Sequence, residues 1–358
     1  MTKISPDPRE HSPSGRIESA DLACASLMHF FEKRQLGMHA RTMLAADYAY
    51  RASSLRPDQK RLLDGRIVNS FLPVQYRSPS SEEVRIIGSK NVDLAILTII
   101  PNEHRAVSDV FALDGRPLIT SHGRRFSEGT VASRHAGREL SLVESSAVDA
   151  MAISTVGAVR DLLQHYSPMA IFLVGIAAGI RDEVSLGDVV IARGVYNYDP
   201  GRLVPSEEQP RHDRLDTPKE VYYNFHYYEP ASTGFAARAQ ELFDGLEPAR
   251  RPKRTKKNNP KVVSRNVVIA SGSQLIRDGR FLQDLRSRHD ERLIAADQES
   301  YAFADACGGL WWGVIRGISD YGDPDKSDNW QYVAAANAAL CLRDFIESQY
   351  VPPDAREL

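Results

Sequence analysis

The rhythm of apolar and polar positions changes twice along the chain. Residues 1–16, MTKISPDPREHSPSGR, are polar and proline-containing and cannot bury enough apolar surface to order themselves, so a disordered tail is expected there. Apolar spacings such as Leu27, Phe30, Phe31 and then Met43, Ala46, Tyr50 fit helical turns and predict a small helical module over 17–75. LPVQYRSPSSEE interrupts it and gives a linker over 76–91. From Val92 the pattern becomes a series of β-branched and aliphatic runs, VDLAILTII, MAIFLVGIAAGI, DVVIARGVY, NVVIAS, RLIAAD and GVIRGIS, each of the kind that forms a strand buried on both faces. SSAVDAMAISTVGAVRDLLQHY and FAARAQELFDGL, lying between them, read as helices. This alternation predicts an α/β domain over 92–350, a mixed, largely parallel central sheet flanked by helices, with a tail at 351–358. Such sheets bind ligands at the carboxyl ends of their strands.

Composition narrows the function classes. The chain has 358 residues, a formal net charge of −2, 42% hydrophobic and 26% charged residues. It can build a sizeable core, and its charge offers no general attraction to nucleic acid or to an anionic membrane. Cys24, Cys307 and Cys341 are far apart and supply neither a disulfide framework nor a zinc site, which fits a reducing, cytoplasmic setting. No apolar run approaches the ~20 residues of a membrane span. One biased segment, RRPKRTKKNNPK at 250–261, is either an exposed solvated loop or a phosphate-attracting flap.

Three carboxylates follow buried strands and so fall at the functional edge of the predicted sheet: Glu103, Glu299 and Asp320. Asp320 comes directly after WWGVIRGIS, where Ser319 and Gly322 permit a tight turn, and a carboxyl held at such a strand end can act as a proton donor. Glu299, in ADQES, starts a helix whose N-terminus is expected to favour its ionised form. Small residues in VGIAAGI, including Gly175 and Ala177 beside Ile176, let backbone amides approach a ligand, or pack strand against helix.

The segments ILTIIPNEHRAV, VGIAAGIRDEVSLGDVVIA, IASGSQLIRD, AADQESYAF and VIRGISDYGD occur in this order over roughly 92–350. In this the chain resembles the superfamily of purine nucleoside phosphorylases, uridine phosphorylases and methylthioadenosine/S-adenosylhomocysteine nucleosidases. The resemblance implies a phosphorylase/nucleosidase-like fold and a role for each matching position. Glu103 falls on the carboxylate that activates the attacking water, Glu299 on the glutamate that binds the ribose hydroxyls, and Asp320 on the acid facing N7 of the leaving purine. Ser271 and Gly272 border the base, Leu275 and Ile276 line it, and Gln298 and Arg316 complete the substrate-contacting set. Breaking the C1′–N9 bond builds positive charge on the sugar and negative charge on the base, and carboxylates around the ring with an acid at the base stabilise both. This chemistry requires no metal and no organic cofactor.

Departures from the family pattern shift the expectation. Where hexameric purine phosphorylases hold phosphate with an arginine and a serine, this chain has Leu173 and Ile176, which favours water over phosphate as nucleophile. The arginines Arg124, Arg125, Arg134 and Arg138 leave room for a phosphate site of another kind. Gln298 replaces the usual methionine and Leu275 the usual stacking aromatic; the cluster YYNFHYY at 222–228 is either a substitute ring or an aromatic satellite core. GVYNYDPGRL and SDYGDPDKSDNWQYVAAANAA resemble a divergent branch in immune-type proteins that includes nucleosidases acting on ATP, for which the basic loop or Lys326 could supply phosphate contacts. The expected activity is hydrolysis of the N-glycosidic bond of an adenine nucleoside or nucleotide, ATP or AMP foremost, in a defence setting. Alternatives are a methylthioadenosine/S-adenosylhomocysteine nucleosidase, a phosphate-dependent phosphorylase, or a nucleotide sensor without turnover. Expected partners are a purine substrate, further copies of the chain in a dimer or hexamer, and an activator engaging the helical module.

Overall fold

The structure is a computed structural model that describes residues 89–352 except 114, 121–122, 200, 205–206, 211–212, 253–256, 275 and 324–327. The tail 1–16, the helical module 17–75, nearly all of the linker 76–91 and most of the tail 351–358 lie outside these residues, as do Leu275 and Lys326. The described residues belong to a unit of the chain that starts at Ile87.

Strand β1 (Lys90–Thr98) leads into helix α1 (Pro101–Phe111), the short β2 (Leu118–Ile119), and the pair β3 (Arg125–Ser133) and β4 (Arg138–Ser146). Next come α2 (Ala152–His165), the long β5 (Tyr166–Gly179), β6 (Val189–Ile191), β7 (Gly194–Asn197), the hairpin β8 (Gly201–Val204) and β9 (Glu207–Pro210), and β10 (Asp213–Asp216). Helices α3 (Lys219–His226), α4 (Pro230–Thr233) and α5 (Phe235–Gly245) precede β11 (Val262–Val263) and β12 (Val268–Ser271). The chain then runs through α6 (Gly279–His289), β13 (Leu293–Asp297), α7 (Ser300–Cys307), β14 (Trp311–Asp320) and α8 (Gln331–Ser348).

The main sheet runs β10-β7-β12-β13-β5-β1-β4-β3-β2, with β14 joined to β5 and β6, and β6 joined to β11. β1 pairs in parallel with β4 and β5, as do β14 with β5, β12 with β7 and β13, and β6 with β11. The links of β5 to β13, β14 to β6, β3 to β2 and β4, and β7 to β10 are antiparallel. The sheet is therefore mixed and flanked by helices, as the alternation of runs predicts.

Central strands are apolar on both faces because helices cover both. Along β1, Ala95 and Leu97 face a cluster shared with Ala158, Val159 and Leu162 of α2 and Phe303 of α7, while Leu94 and Ile96 face one shared with Val107 of α1, Phe225 of α3 and Phe345 of α8. This alternation is the period of two that a pleated strand imposes. α8 is buried almost all round from Tyr332 to Ile346, which is why its sequence is alanine-rich rather than amphipathic.

Two local readings change. The run starting SSAVDAM is not helical throughout: it continues β4 to Ser146, and α2 begins only at Ala152, after Met151 at φ 103°. DVVIARGVY divides at Ala192–Arg193 into β6 and β7, which pair with different strands. Among the described residues no helix is long and apolar enough to cross a membrane.

Candidate active site

The site is built at the ends of β1, β5, β13 and β14. Pro101 opens α1 at a position where its missing N–H costs nothing. Glu103, in the first turn, folds back so that Oε2 accepts from the amides of Ile99 at 2.7 Å and Ile100 at 3.1 Å. Its other oxygen, Oε1, accepts from the amide of Ile176 at 2.8 Å, tying the helix start to β5. The next residue, His104, meets Glu144 of β4 at 2.9 Å, and Thr98 donates to the same Glu144 oxygen at 2.8 Å, so the turn is fastened on both sides.

At the centre lies Arg316 of β14, fully buried. Its Nε donates to Asp297 at 2.7 Å, Nη2 to Glu299 at 3.4 Å, and Nη1 lies 3.6 Å from Glu103 Oε1. One guanidinium thus faces three carboxylates from three different elements. Gly175, its strand partner on β5, makes this possible: a Cβ there would lie 2.1 Å from Glu103 Oε1 and 2.4 Å from Arg316 Nη1. Nη1 makes no hydrogen bond among the described residues, so a donor remains available beside Glu103.

Charge balance explains the protonation pattern. Burial opposes the charge of Arg316, but Asp297, Glu103 and Glu299 together raise its pKa above the ordinary arginine value. Burial raises the Glu103 carboxyl, against the pull of Arg316 and of three backbone amides. Glu299 is pushed up to about 7, by burial first and then by the neighbouring Asp297, with Arg316 pulling the other way. The pull toward the ionised form expected at a helix N-terminus is therefore opposed at Glu299 by burial and by Asp297. Asp297, not Glu299, accepts from the first amides of α7, those of Ser300 at 3.1 Å and Glu299 at 3.3 Å. Glu299 instead receives the amide of Met151 at 3.1 Å.

Asp320 lies four residues beyond Arg316 on the same strand, about 13 Å of extended chain. The register of β14 against β5 slips between Ile318 and Asp320, and such a bulge re-aims the side chain that follows it. Asp320 Oδ1 accepts from the amide of Gly322 at 2.8 Å and Oδ2 from the hydroxyl of Ser319 at 2.9 Å. Ile276 packs over this turn, close enough that a Cβ on Gly322 would meet its Cγ2 at 3.0 Å.

The other sequence-derived candidates divide. The Ser271 hydroxyl accepts from Tyr301 N at 3.1 Å and holds α7 to β12, while Gly272 donates to Asp297 O at 3.2 Å. Gln298 is half-buried and donates to Ser273 O at 3.0 Å. Ala177 and Leu173 are buried in the core, and Ile176 packs beside Ala106 and Tyr332. Of the 222–228 aromatics Phe225 and Tyr228 turn inward, Phe225 stacked on Phe345 at 4.1 Å, so the satellite-core alternative holds for these two rings, while Tyr223 and Tyr227 are exposed. Arg124 is held by Asp161 and by Ser146 O, and Arg138 by Asp93. Arg250 and Arg251, at the start of the basic segment, lie over Tyr332 and Phe243. Among the described residues no group of three His, Cys, Asp or Glu side chains could hold a metal ion.

Asp297 is not among the residues the sequence pattern singles out. The signal was present in AADQES, where an aspartate two residues before the glutamate ends a buried strand and starts a helix.

Residues 93–347 match the family model described as Phosphorylase superfamily. Two curated sequences named ATP nucleosidase Cap17, from Escherichia coli strain KTE188 and Escherichia coli, are each 32% identical over 269 residues, covering 72% of this chain and 51% of their own length. The chain spans about half the length of these curated relatives. Among solved structures, the 5′-methylthioadenosine/S-adenosyl homocysteine nucleosidase of Helicobacter pylori superposes with a TM-score of 0.51 at 16% identity, covering 72% of this chain and 98% of that one. The corresponding enzyme of S. pneumoniae gives 0.50 at 20% identity, covering 71% and 98%. At these identities the likeness shows the fold.

Proposed function

The chain belongs to the phosphorylase superfamily, and from that premise we propose that it hydrolyses the N-glycosidic bond of an adenine nucleotide, ATP foremost, releasing adenine. The observation that carries this reading is the cluster of Glu103, Asp297 and Glu299 around the buried Arg316, with an N–H of Arg316 left beside Glu103. The choice of ATP is supported by the name of the curated relatives.

In the proposed reaction the C1′–N9 bond breaks with its electron pair passing to the purine. Asp320 donates a proton to N7, and Glu299 accepts hydrogen bonds from the ribose hydroxyls. A water bound between Arg316 Nη1 and Glu103 attacks C1′ and gives its proton to Glu103. Burial, which raises the pKa of the Glu103 carboxyl, makes it a stronger proton acceptor for that last step. Hydrolysis is favoured over phosphorolysis because Leu173 is committed to the core and Ile176 to an apolar contact, so neither position offers an anion contact.

Incubation of the full chain with ATP, AMP, adenosine and methylthioadenosine, with and without phosphate, tests the reading. Adenine and the free sugar or sugar phosphate are expected, with no requirement for phosphate. The rate should fall as pH drops through about 7, because protonating the Glu299 cluster removes the carboxylates that the sugar and water need. A ribose 1-phosphate product, or no base released from any of the four, contradicts it.

We also propose that two copies join next to this site. Val148, Met151, Ile153 and Val156 are 77%, 50%, 75% and 42% exposed, a cluster of large apolar side chains at the start of α2. The amide of Met151 itself serves Glu299, so the patch adjoins the site. Ile153→Asp is expected to shift the mass measured by light scattering toward the monomer; an unchanged mass contradicts the interface.

A further inference from the structure

A purine presents two broad flat faces, whereas the side chains assembled so far around Arg316 and Asp320 are ionic. The geometry points to Tyr198 as the residue whose ring covers the purine and selects for a flat aromatic base, an assignment that rests on the nucleosidase reading above. Tyr198 follows β7 directly and prolongs its pairing with β12, its amide donating to Ser271 O at 3.2 Å.

The ring is fixed on several sides. Its hydroxyl donates to Gln274 O at 3.1 Å, and it meets Phe281 at 5.5 Å between centroids with the planes at 70°. It also lies against Gly272, where a Cβ would come within 2.3 Å of Cζ and 2.4 Å of Cε2. A glycine at that strand end therefore makes room for an aromatic side chain. A pre-ordered ring loses little freedom on binding, which is what makes a stacking platform effective.

Its location spans the two ends of the site. With Ala178 and Ile276, Tyr198 packs against the cluster formed by Tyr196, Val268, Leu282 and Ala296. Ala178 is the strand partner of Asp320, and Ile276 covers the turn whose Gly322 amide holds the Asp320 carboxylate. On the opposite side Gly272 is bonded to Asp297. The phenol is raised above its usual pKa by burial and then by the carboxylates of Asp199, Asp297 and Glu299, in keeping with a ring near the sugar-binding carboxylates. A nucleoside with its base toward Asp320 and its sugar toward Glu299 must cross the space beside this ring.

The test compares the full-length wild type with Tyr198→Leu and Tyr198→Phe, measuring adenine binding by calorimetry, ATP turnover and thermal stability. Loss of one base–aromatic stack is expected to weaken adenine binding and raise KM by about ten- to a hundredfold in Tyr198→Leu, with kcat changed less than about threefold. Tyr198→Phe restores the ring and should recover affinity to within about threefold of wild type. Gly272→Ala, which displaces the same ring without removing it, should reproduce the rise in KM. Wild-type affinity in Tyr198→Leu, or equal losses in the Leu and Phe variants at unchanged melting temperature, overturns the role of the ring while leaving the activity intact. A wild type that neither binds adenine nor releases it overturns the nucleosidase reading and this one with it.

Discussion

Asp320→Asn is expected to reduce release of the base by about 10²- to 10⁴-fold, the usual contribution of a positioned general acid, with KM changed only a few-fold. The substitution is isosteric, and its surroundings can accept it. Asparagine can keep its carbonyl oxygen on the Gly322 amide, which now donates to Oδ1, and turn its amide toward the Ser319 hydroxyl, which can accept as readily as donate. The geometry at the bulge is thus retained while the carboxyl proton that the proposed mechanism delivers to N7 is lost. An asparagine amide can still hydrogen-bond to N7, so the defect should fall on kcat rather than on binding. Steady-state kinetics with ATP, with the melting temperature as a control, measures this. Retention of more than about a tenth of the wild-type kcat would remove Asp320 from the acid role.

The central strands were legible in the sequence because helices cover both faces and force continuous apolar runs. VDLAILTII and WWGVIRGIS correspond to β1 and β14 with little adjustment. The pair β3–β4 carries no such run. In RFSEGTVAS only Phe126, Val131 and Ser133 are buried, so the strand is specified by pairing with β4 rather than by a run of its own. The start of α2 differs from the sequence pattern for a related reason: alanine and serine in SSAVDAMA fit a helix, and tertiary pairing with β1 draws Ser145 and Ser146 into β4 instead.

The site was legible as residue identity but not as charge balance. Glu103, Glu299 and Arg316 each belong to a recognisable segment, yet nothing in their spacing reveals that one guanidinium answers three carboxylates. Burial first and then the charge of Asp297 push Glu299 up to about 7, and the hydrogen bonds of Asp297 look from the sequence like ordinary helix capping. Tyr198 was equally hidden. It lies in GVYNYDPGRL, whereas the denser aromatic cluster at 222–228 is the more conspicuous sequence signal, and there Phe225 packs into the core.

Arg316→Met carries the largest expected cost to stability. It keeps the volume of the side chain but leaves Glu103, Asp297 and Glu299 facing one another with no cation, and breaking a buried ion pair from one side costs about 3–5 kcal/mol. The cost should depend on pH in a defined direction. Without the guanidinium, burial and mutual repulsion raise the folded-state pKa values of these carboxyls above their unfolded values. In the interval between the two values the folded protein binds more protons than the unfolded chain, so stability falls as pH rises through it. Glu299, already at about 7 with Arg316 in place, moves further up when that attraction is removed. The deficit relative to wild type, measured by urea denaturation, should therefore widen between pH 5 and pH 8. Adding Glu299→Gln removes one of the unpaired charges and should recover part of the loss at pH 8, a coupling that the double-mutant cycle isolates. A deficit equal at both pH values would mean that Arg316 stabilises the fold through its packing alone, and the charge cluster would then have no energetic hold on the protonation of the site.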